Sequence, residues 1–122
     1  MTKDTRLIGN AGEDAVASYL EQQGFKVLIK NYSVHNVGEI DIAAKKDGVL
    51  YIIEVKTRSI KNIDTYGSPE SFITRGKKSK VLRTARHLIA HLGEYDSDVV
   101  FMAASVVTKS DGSISSIELI EI

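Results

Sequence analysis

Two acidic residues, Asp41 and Glu54, lie on either side of a dipeptide that favours a tight turn, Asp47-Gly48. Asp-Gly is a preferred centre for a two-residue β-hairpin because both of its positions tolerate positive φ. With this pair at the centre of the turn, Asp41 faces Glu54 on the neighbouring strand. Directly opposed side chains have their Cβ atoms about 4.5–5.5 Å apart, so two carboxylates there repel each other unless a third group neutralises them.

The same pairing places two further charged residues beside these acids. Glu39 then faces Lys56, and side-chain alternation puts all four charges on one face of the hairpin. The alternate positions are apolar and are predicted to project from the opposite face: Ile40, Ile42, Ile53 and Val55. Carboxylate oxygens at this spacing suit Mg²⁺ or Mn²⁺, and the backbone carbonyl of Val55 is available as a further ligand.

Opposed charges on a sheet face also occur without function, and Glu39 with Lys56 alone is typical of a surface ion pair. The isoleucines next to Asp41 and before Glu54 favour core strands instead, where buried acids require compensation. They are Ile40, Ile42, Ile52 and Ile53. A longer turn over residues 45–48 would shift the pairing, although an even shift keeps both acids on one face.

A third acid, Glu13, lies in the helix predicted over Leu7–Gln23, which Gly24 ends. Glu13 borders the apolar stripe of this helix, so its side chain can lean toward a sheet packed beneath the stripe. A solvated side chain is the open alternative at such a position.

The spacing of apolar residues and the positions of turn-forming residues predict the remaining helices and strands. Strands are predicted over Phe25–Tyr32, Val37–Ala44 and Val49–Lys56, and again over Val99–Val107 and Ile114–Ile122, joined at Asp111-Gly112. The polar stretch Ser59–Pro69 predicts a long loop, with Ser68-Pro69 typical of a helix start. A second helix is predicted over Lys77–Leu92, closed by Gly93. The order predicts a mixed α/β sheet with helices packed on it.

Composition limits the class of protein. The chain has 122 residues, 43% of them hydrophobic and 26% charged, as in one soluble globular domain. Without a membrane-length apolar run or an apolar stretch at the N-terminus, we expect a cytoplasmic protein and no membrane partner. The absence of cysteine excludes disulfide scaffolds, thiolate metal sites and cysteine nucleophiles.

The zero net charge conceals an uneven distribution. Residues 45–92 contain 11 basic and 4 acidic side chains, whereas both flanking segments are net acidic. Such separation favours one electropositive face that binds phosphate, unless the charges pair with each other in space. The residues predicted to position a nucleic-acid backbone are Arg58, Lys61, Arg75, Lys77, Lys78 and Lys80.

Several blocks of residues together carry a family resemblance. They are Gly9, Gly12-Glu13, Ala17, Tyr19-Leu20 and Gly24; Asn31 and Gly38-Glu39-Ile40-Asp41; Glu54-Val55-Lys56-Thr57-Arg58; and Gly67, Pro69-Glu70, Lys77 and Ala85. On these residues the chain resembles the YraN-type family, which is itself similar to PD-(D/E)XK nucleases and, among them, to Holliday junction resolvases. Ser33 and Asp96 stand where the family pattern favours basic residues, a difference that bears on substrate affinity.

The resemblance implies roles for individual residues. Asp41 and Glu54 would bind metal, Lys56 would be the catalytic lysine, and Glu13 would complete the site as a further catalytic and metal-binding acid. It also implies the restriction-endonuclease-like three-layer fold, with core order αβββαβ followed here by an extra C-terminal strand. The implied activity is Mg²⁺- or Mn²⁺-dependent hydrolysis of DNA, with branched or structured DNA as the favoured substrate.

Two alternatives stay open at this point. The chain could be a nucleic-acid-binding or partner-binding domain that keeps a nuclease scaffold without catalysis, or a structural protein whose hairpin charges are solvated. A resolvase must cut two strands of a junction, so a homodimer is a further expectation, with the C-terminal strand pair as a candidate edge.

Overall fold

The computed structural model describes residues 5–62 and 74–122. The elements are α1 (Thr5–Gln22), β1 (Lys26–Val34), β2 (Gly38–Lys46), β3 (Val49–Ser59), a short 3₁₀ turn (Ile60–Asn62), α2 (Arg75–Leu92), β4 (Asp98–Thr108) and β5 (Ile114–Glu121). The elements predicted within these residues are confirmed, with ends displaced by up to three residues. The helix start predicted at Ser68-Pro69 lies outside the described residues, as does most of the predicted loop.

The five strands form one sheet in the order β1-β2-β3-β4-β5. All neighbours are antiparallel except β3 and β4, which are parallel. Parallel neighbours require a crossover, and here the chain between them contains α2. The predicted mixed α/β fold with core order αβββαβ and an added strand is confirmed. In the described part of the chain, no helix is both long and apolar enough to cross a membrane.

Each helix buries its apolar stripe against a different face of the sheet, which gives three layers. On one face, α1 contributes to a buried cluster made of Val16, Ala17, Leu20, Ile42, Ala44, Ile53, Ala104 and Val106. On the other, α2 contributes to a cluster of Ile40, Ala43, Leu50, Ile52, Val81, Ala85 and Leu88. Burial of these side chains provides the main stabilisation of the fold.

The ends of α2 are set by local hydrogen bonds. Thr74 caps its start, where the side-chain Oγ1 accepts a hydrogen bond from the Lys77 N–H at 3.1 Å. Gly93 ends it with a left-handed φ of 70°, and its N–H donates to the Ile89 carbonyl. The predicted stop at Gly93 is confirmed.

The hairpin between β2 and β3 has the predicted register. Asp47 and Gly48 have φ values of 51° and 78°, as a tight two-residue turn requires. Pairing runs from Lys46↔Val49 to Ile42↔Ile53 and ends there, one residue before the two acids. Because β3 continues to pair with β4 as far as Ser59, it is β2 that separates from β3 at this level.

One predicted orientation is wrong. Ile40 and Ile42 were expected on the same face, but Ile42 packs with α1 and Ile40 packs with α2. Opposite this point in β1, between the pairs Lys30↔Ile42 and Tyr32↔Ile40, Asn31 has a left-handed φ of 55°. A left-handed residue interrupts the alternation of its own strand, β1, and the change of face in β2 lies at the same level of the sheet.

Helix α1 approaches β3 most closely at Gly12, which is buried. A Cβ atom added at Gly12 would overlap the Oγ1 atom of Thr57. The absence of a side chain at Gly12 therefore sets the distance between α1 and the sheet, and with it the height of the neighbouring Glu13 above the strands.

We expect Gly12→Ala to lower the free energy of unfolding by about 1–3 kcal/mol, because the added methyl group overpacks this contact. Adding Thr57→Ala should restore most of the loss by removing Oγ1. Gly76→Ala is the matched control, since Gly76 is helical and a Cβ there meets nothing within 4 Å; it should be neutral or stabilise by up to about 1 kcal/mol. Urea unfolding of wild type and the three variants measures the effect, and equal stability of G12A and G76A would contradict it.

Candidate functional site

A cavity of about 420 Å³ lies where β2 and β3 separate, with α1 on one side and α2 on the other. Its lining residues are Glu13, Gly38, Glu39, Asp41, Glu54, Val55, Lys56, Lys77, Lys80 and Val81. The structure thus brings the five residues predicted for catalysis and metal binding to one cavity, together with two of the predicted phosphate contacts.

Asp41 bridges the gap between the separated strands. Its Oδ2 atom accepts a hydrogen bond from the backbone N–H of Val55 at 2.8 Å. The side chain of β2 thus pairs with the backbone of β3 just beyond the last ladder pair, Ile42↔Ile53. This bond holds the Asp41 carboxylate beside Glu54, the residue that precedes Val55.

Glu54 is a buried acid, with only 8% of the residue exposed. Its Oε1 atom is buried and has no hydrogen-bond partner. Burial raises the pKa of Glu54 to about 8, with a further contribution from the negative charge of Asp41, while the positive charge of Lys77 acts in the opposite direction. Glu54 is therefore the group in the cavity whose charge most needs a partner.

Glu13 lines the cavity from α1, so its side chain turns toward the sheet rather than into open solvent. Its Oε2 atom is also buried without a hydrogen-bond partner. Burial raises the pKa of Glu13, the charge of Asp41 raises it further, and a hydrogen bond from the Asn31 side chain partly offsets the shift. Three carboxylates from α1, β2 and β3 thus border one space.

Lys56 and Glu39 lie at the exposed edge of the cavity. The predicted facing pair of Glu39 and Lys56 is wrong, because the pairing of β2 with β3 ends at Ile42↔Ile53, three residues short of Glu39. No ion pair joins Glu39 to Lys56 among the described residues.

The predicted phosphate contacts divide into two groups. Arg75, Lys77, Lys78 and Lys80 are exposed in the first turns of α2, and Lys61 is exposed after β3. Arg58 differs: it is 6% exposed, and its Nη2 atom donates to Ser105 Oγ at 3.3 Å. Arg58 lies near the end of β3, which runs to Ser59 and pairs with β4 along its whole length, and a phosphate contact of its side chain stays a prediction.

Two residues that the sequence analysis named only as part of the family resemblance, with no role of their own, also shape this site. Asn31 adopts its left-handed conformation opposite the level of Asp41 and interacts with Glu13. The signal was an Asn inside a strand pattern, because Asn tolerates this conformation better than other non-glycine residues. Gly38 lets α2 lie close to β2, since a Cβ there would stand 2.6 Å from Thr84 Oγ1.

The donor set suits a hard cation. Two buried carboxylate oxygens without partners and a third carboxylate border the cavity, and Mg²⁺ and Mn²⁺ prefer such oxygens. In the described ranges, no three His, Asp or Glu side chains are already close enough together to form a metal-binding group. The fit to a hard cation is thus one of donor type alone.

Comparison with known proteins identifies the family. The model of the uncharacterised protein family UPF0102 matches residues 12–106, a range that contains every residue of the cavity. The chain belongs to the UPF0102 family. This is the YraN-type family to which the sequence motifs pointed, so that prediction is confirmed.

UPF0102 relatives match over most of their length. The chain is 34% identical over 108 residues to a UPF0102 protein of Symbiobacterium thermophilum, covering 88% of each chain. It is 37% identical to one of Clostridium perfringens, covering 73% of this chain and 70% of the relative. With a UPF0102 protein of Nitrosomonas europaea the identity is 40%, covering 71% and 74%.

The raised pKa of Glu54 predicts a pH-dependent stability in EDTA. Between its ordinary value of 4.5 and about 8, folded Glu54 binds a proton that the unfolded chain releases, so stability falls as pH rises through this range. Glu54→Gln should remove most of this slope and be more stable than wild type at pH 8 by roughly 2–4 kcal/mol, since each pKa unit corresponds to about 1.4 kcal/mol. Thermal unfolding at several pH values measures this.

Glu118→Gln, an exposed carboxylate on β5, is the matched control and should follow wild type. Parallel pH profiles for wild type and E54Q would show that Glu54 is not the group responsible.

Proposed function

We propose that this UPF0102 chain is a metal-dependent endonuclease that hydrolyses phosphodiester bonds in DNA, with branched or structured DNA as its substrate class. The observation that carries the proposal is the pair of buried, unpartnered oxygens, Glu13 Oε2 and Glu54 Oε1, at the cavity that Asp41 also lines. A hard cation satisfies such oxygens, and basic side chains border the same space.

The acids would hold the cation. Asp41 and Glu54 are its ligands, with the Val55 carbonyl as a further oxygen and Glu13 binding either directly or through water. When bound, Mg²⁺ or Mn²⁺ lowers the pKa of a water molecule and neutralises charge on the phosphoryl oxygens. Asp41 keeps its orientation through the hydrogen bond from the Val55 N–H.

Lys56 would act on the attacking water or on developing negative charge. It borders the cavity from the same strand as Glu54 and is exposed, so its ammonium group can reach a bound phosphate. An ammonium group offers three donors and no acceptor. Its role is therefore to orient water or offset charge rather than to remove a proton.

Lys77 and Lys80 reach the cavity from α2 and would fix the phosphate there, as backbone contacts do in nucleic-acid complexes. Lys61, Arg75 and Lys78 are exposed and would contact phosphates further along the strand.

A second candidate is a nucleic-acid-binding domain that does not cleave. Two observations favour it. The described acids do not already form a metal-binding group, and the positive charge of Lys77 already opposes the rise in the pKa of Glu54. In that case the lysine supplies part of the positive charge that a cation would bring.

Cation binding is tested by thermal unfolding with increasing Mg²⁺ or Mn²⁺ at pH 7.5. A ligand bound only by the folded state raises the midpoint, by about 2.7 kcal/mol of stabilisation at a hundredfold excess over its Kd. We expect this rise in wild type and in the control E118Q, and its loss in Asp41→Asn. Equal responses of all three proteins would contradict a site at Asp41.

Cleavage is tested with labelled single-stranded, duplex, flap and four-way-junction DNAs in Mn²⁺. Asp41→Asn should reduce cleavage at least about 100-fold, because it removes a carboxylate that would hold the cation stabilising charge at the reacting phosphate, whereas E118Q should cleave as wild type does. Equal cleavage by wild type and D41N would point to a contaminating nuclease. Salt-sensitive binding with no cleavage by wild type would favour the second candidate.

A further inference from the structure

A second cavity, of about 490 Å³, adjoins the acidic one. It lies between the turn that joins β1 to β2 and the first turns of α2. Gly38, Glu39 and Lys80 line both cavities, so the two form one continuous depression. A nucleic-acid strand bound at the acids can therefore continue directly into this second cavity.

The side chains of the second cavity suit sugar and phosphate oxygens. Three exposed residues line it, Ser33 near the end of β1 and His35 and Asn36 on the turn, and they carry hydroxyl, imidazole and amide groups. Asn36 has a left-handed φ of 62°, and the turn is closed by a hydrogen bond from the Val37 N–H to the Val34 carbonyl at 3.0 Å. Groups of these kinds contact the phosphates and sugars of nucleic acids, and such contacts do not distinguish one base from another.

The charge of α2 also favours an anionic strand at this place. Its 18 residues contain no Asp or Glu, and their basic side chains, all exposed, are Arg75, Lys77, Lys78, Lys80, Arg83 and Arg86. Four of these lie in the first six residues, at the positive end of the helix dipole, where cations are unfavourable. A phosphate bound beside them offsets this repulsion.

We infer that the second cavity binds the sugar-phosphate backbone of the nucleotides that adjoin the phosphate held at the acids. Lys80, on the boundary of the two cavities, contacts the phosphate between them, and the turn residues hydrogen-bond the next nucleotide. Glu39 also borders both cavities, and its negative charge repels phosphate. The phosphates therefore lie nearer to Lys80 than to Glu39. The inference rests on the proposed function for the position of the first phosphate, but it concerns binding and not cleavage.

The test measures binding without chemistry. Fluorescence anisotropy in EDTA follows labelled oligothymidylates of about 4 and about 12 nucleotides, a range that spans known single-strand site sizes. Lys80→Ala should weaken binding of the longer probe and reduce the slope of log K against log salt by about 0.7, the value for one phosphate contact on a single strand.

Two neutral variants probe the turn. Asn36→Gly keeps the left-handed backbone and removes only the amide, and His35→Ala removes the imidazole. Each should lower the affinity of the longer probe relative to the shorter one while leaving the salt slope unchanged. Lys26→Ala is the control for charge removal, because Lys26 is exposed at the opposite end of β1. Thermal unfolding checks that each variant is folded.

The inference is overturned if K80A and K26A have equal salt slopes, or if N36G and H35A bind both probes as wild type does. Selective loss in K80A, N36G and H35A supports it even where wild type cleaves no DNA, which would count against the proposed function alone. Mn²⁺-dependent cleavage with no change in oligonucleotide binding in these variants would leave the nuclease proposal standing and remove the second cavity from substrate binding.

Discussion

The site depends on one hydrogen bond, from the Val55 N–H to Asp41 Oδ2, at the point where β2 and β3 separate. An ordinary ladder would continue past Ile42 and Ile53 and close this gap with backbone atoms. Here a carboxylate takes the place of a backbone acceptor, which keeps β3 satisfied while the strands open. The opening gives Glu54 a cavity to face, and the bond keeps a second negative charge beside it, which contributes to its raised pKa.

The two helices supply charges of opposite sign to this opening. From one face of the sheet, α1 brings Glu13 close because Gly12 allows the helix to approach Thr57. From the other, α2 brings Lys77 and Lys80, and Gly38 permits its close approach. Acidic side chains of α1 and of the sheet therefore lie beside basic side chains of α2. The zero net charge of the chain conceals this local arrangement, which only the layered fold produces.

Much of this arrangement could be predicted because it follows from periodicity and turn chemistry. Asp47-Gly48 determined the hairpin register, and the register placed Asp41 near Glu54. The features that escaped prediction arise where periodicity fails. At the level of Asn31, which has a left-handed φ in β1, the alternation of β2 also changes, and Ile40 packs on α2. Strand β3 extends three residues beyond its predicted end at Lys56, and Arg58 in this extension is buried. A period of two in the sequence encodes neither feature.

The unpartnered oxygens of Glu13 and Glu54 are costly, since a buried polar atom without a partner loses its hydration and gains nothing in return. A hydrophobic side chain in place of Glu54 would avoid that cost, so stability alone does not account for the carboxylate. Lys77 reduces the electrostatic part of the cost, yet Glu54 Oε1 still lacks a hydrogen bond. A mobile cation that could contact these oxygens directly would supply the compensation that Lys77 does not give. The proposed nuclease and the non-catalytic candidate therefore differ in the affinity of these oxygens for a dication, relative to the compensation that Lys77 already gives Glu54.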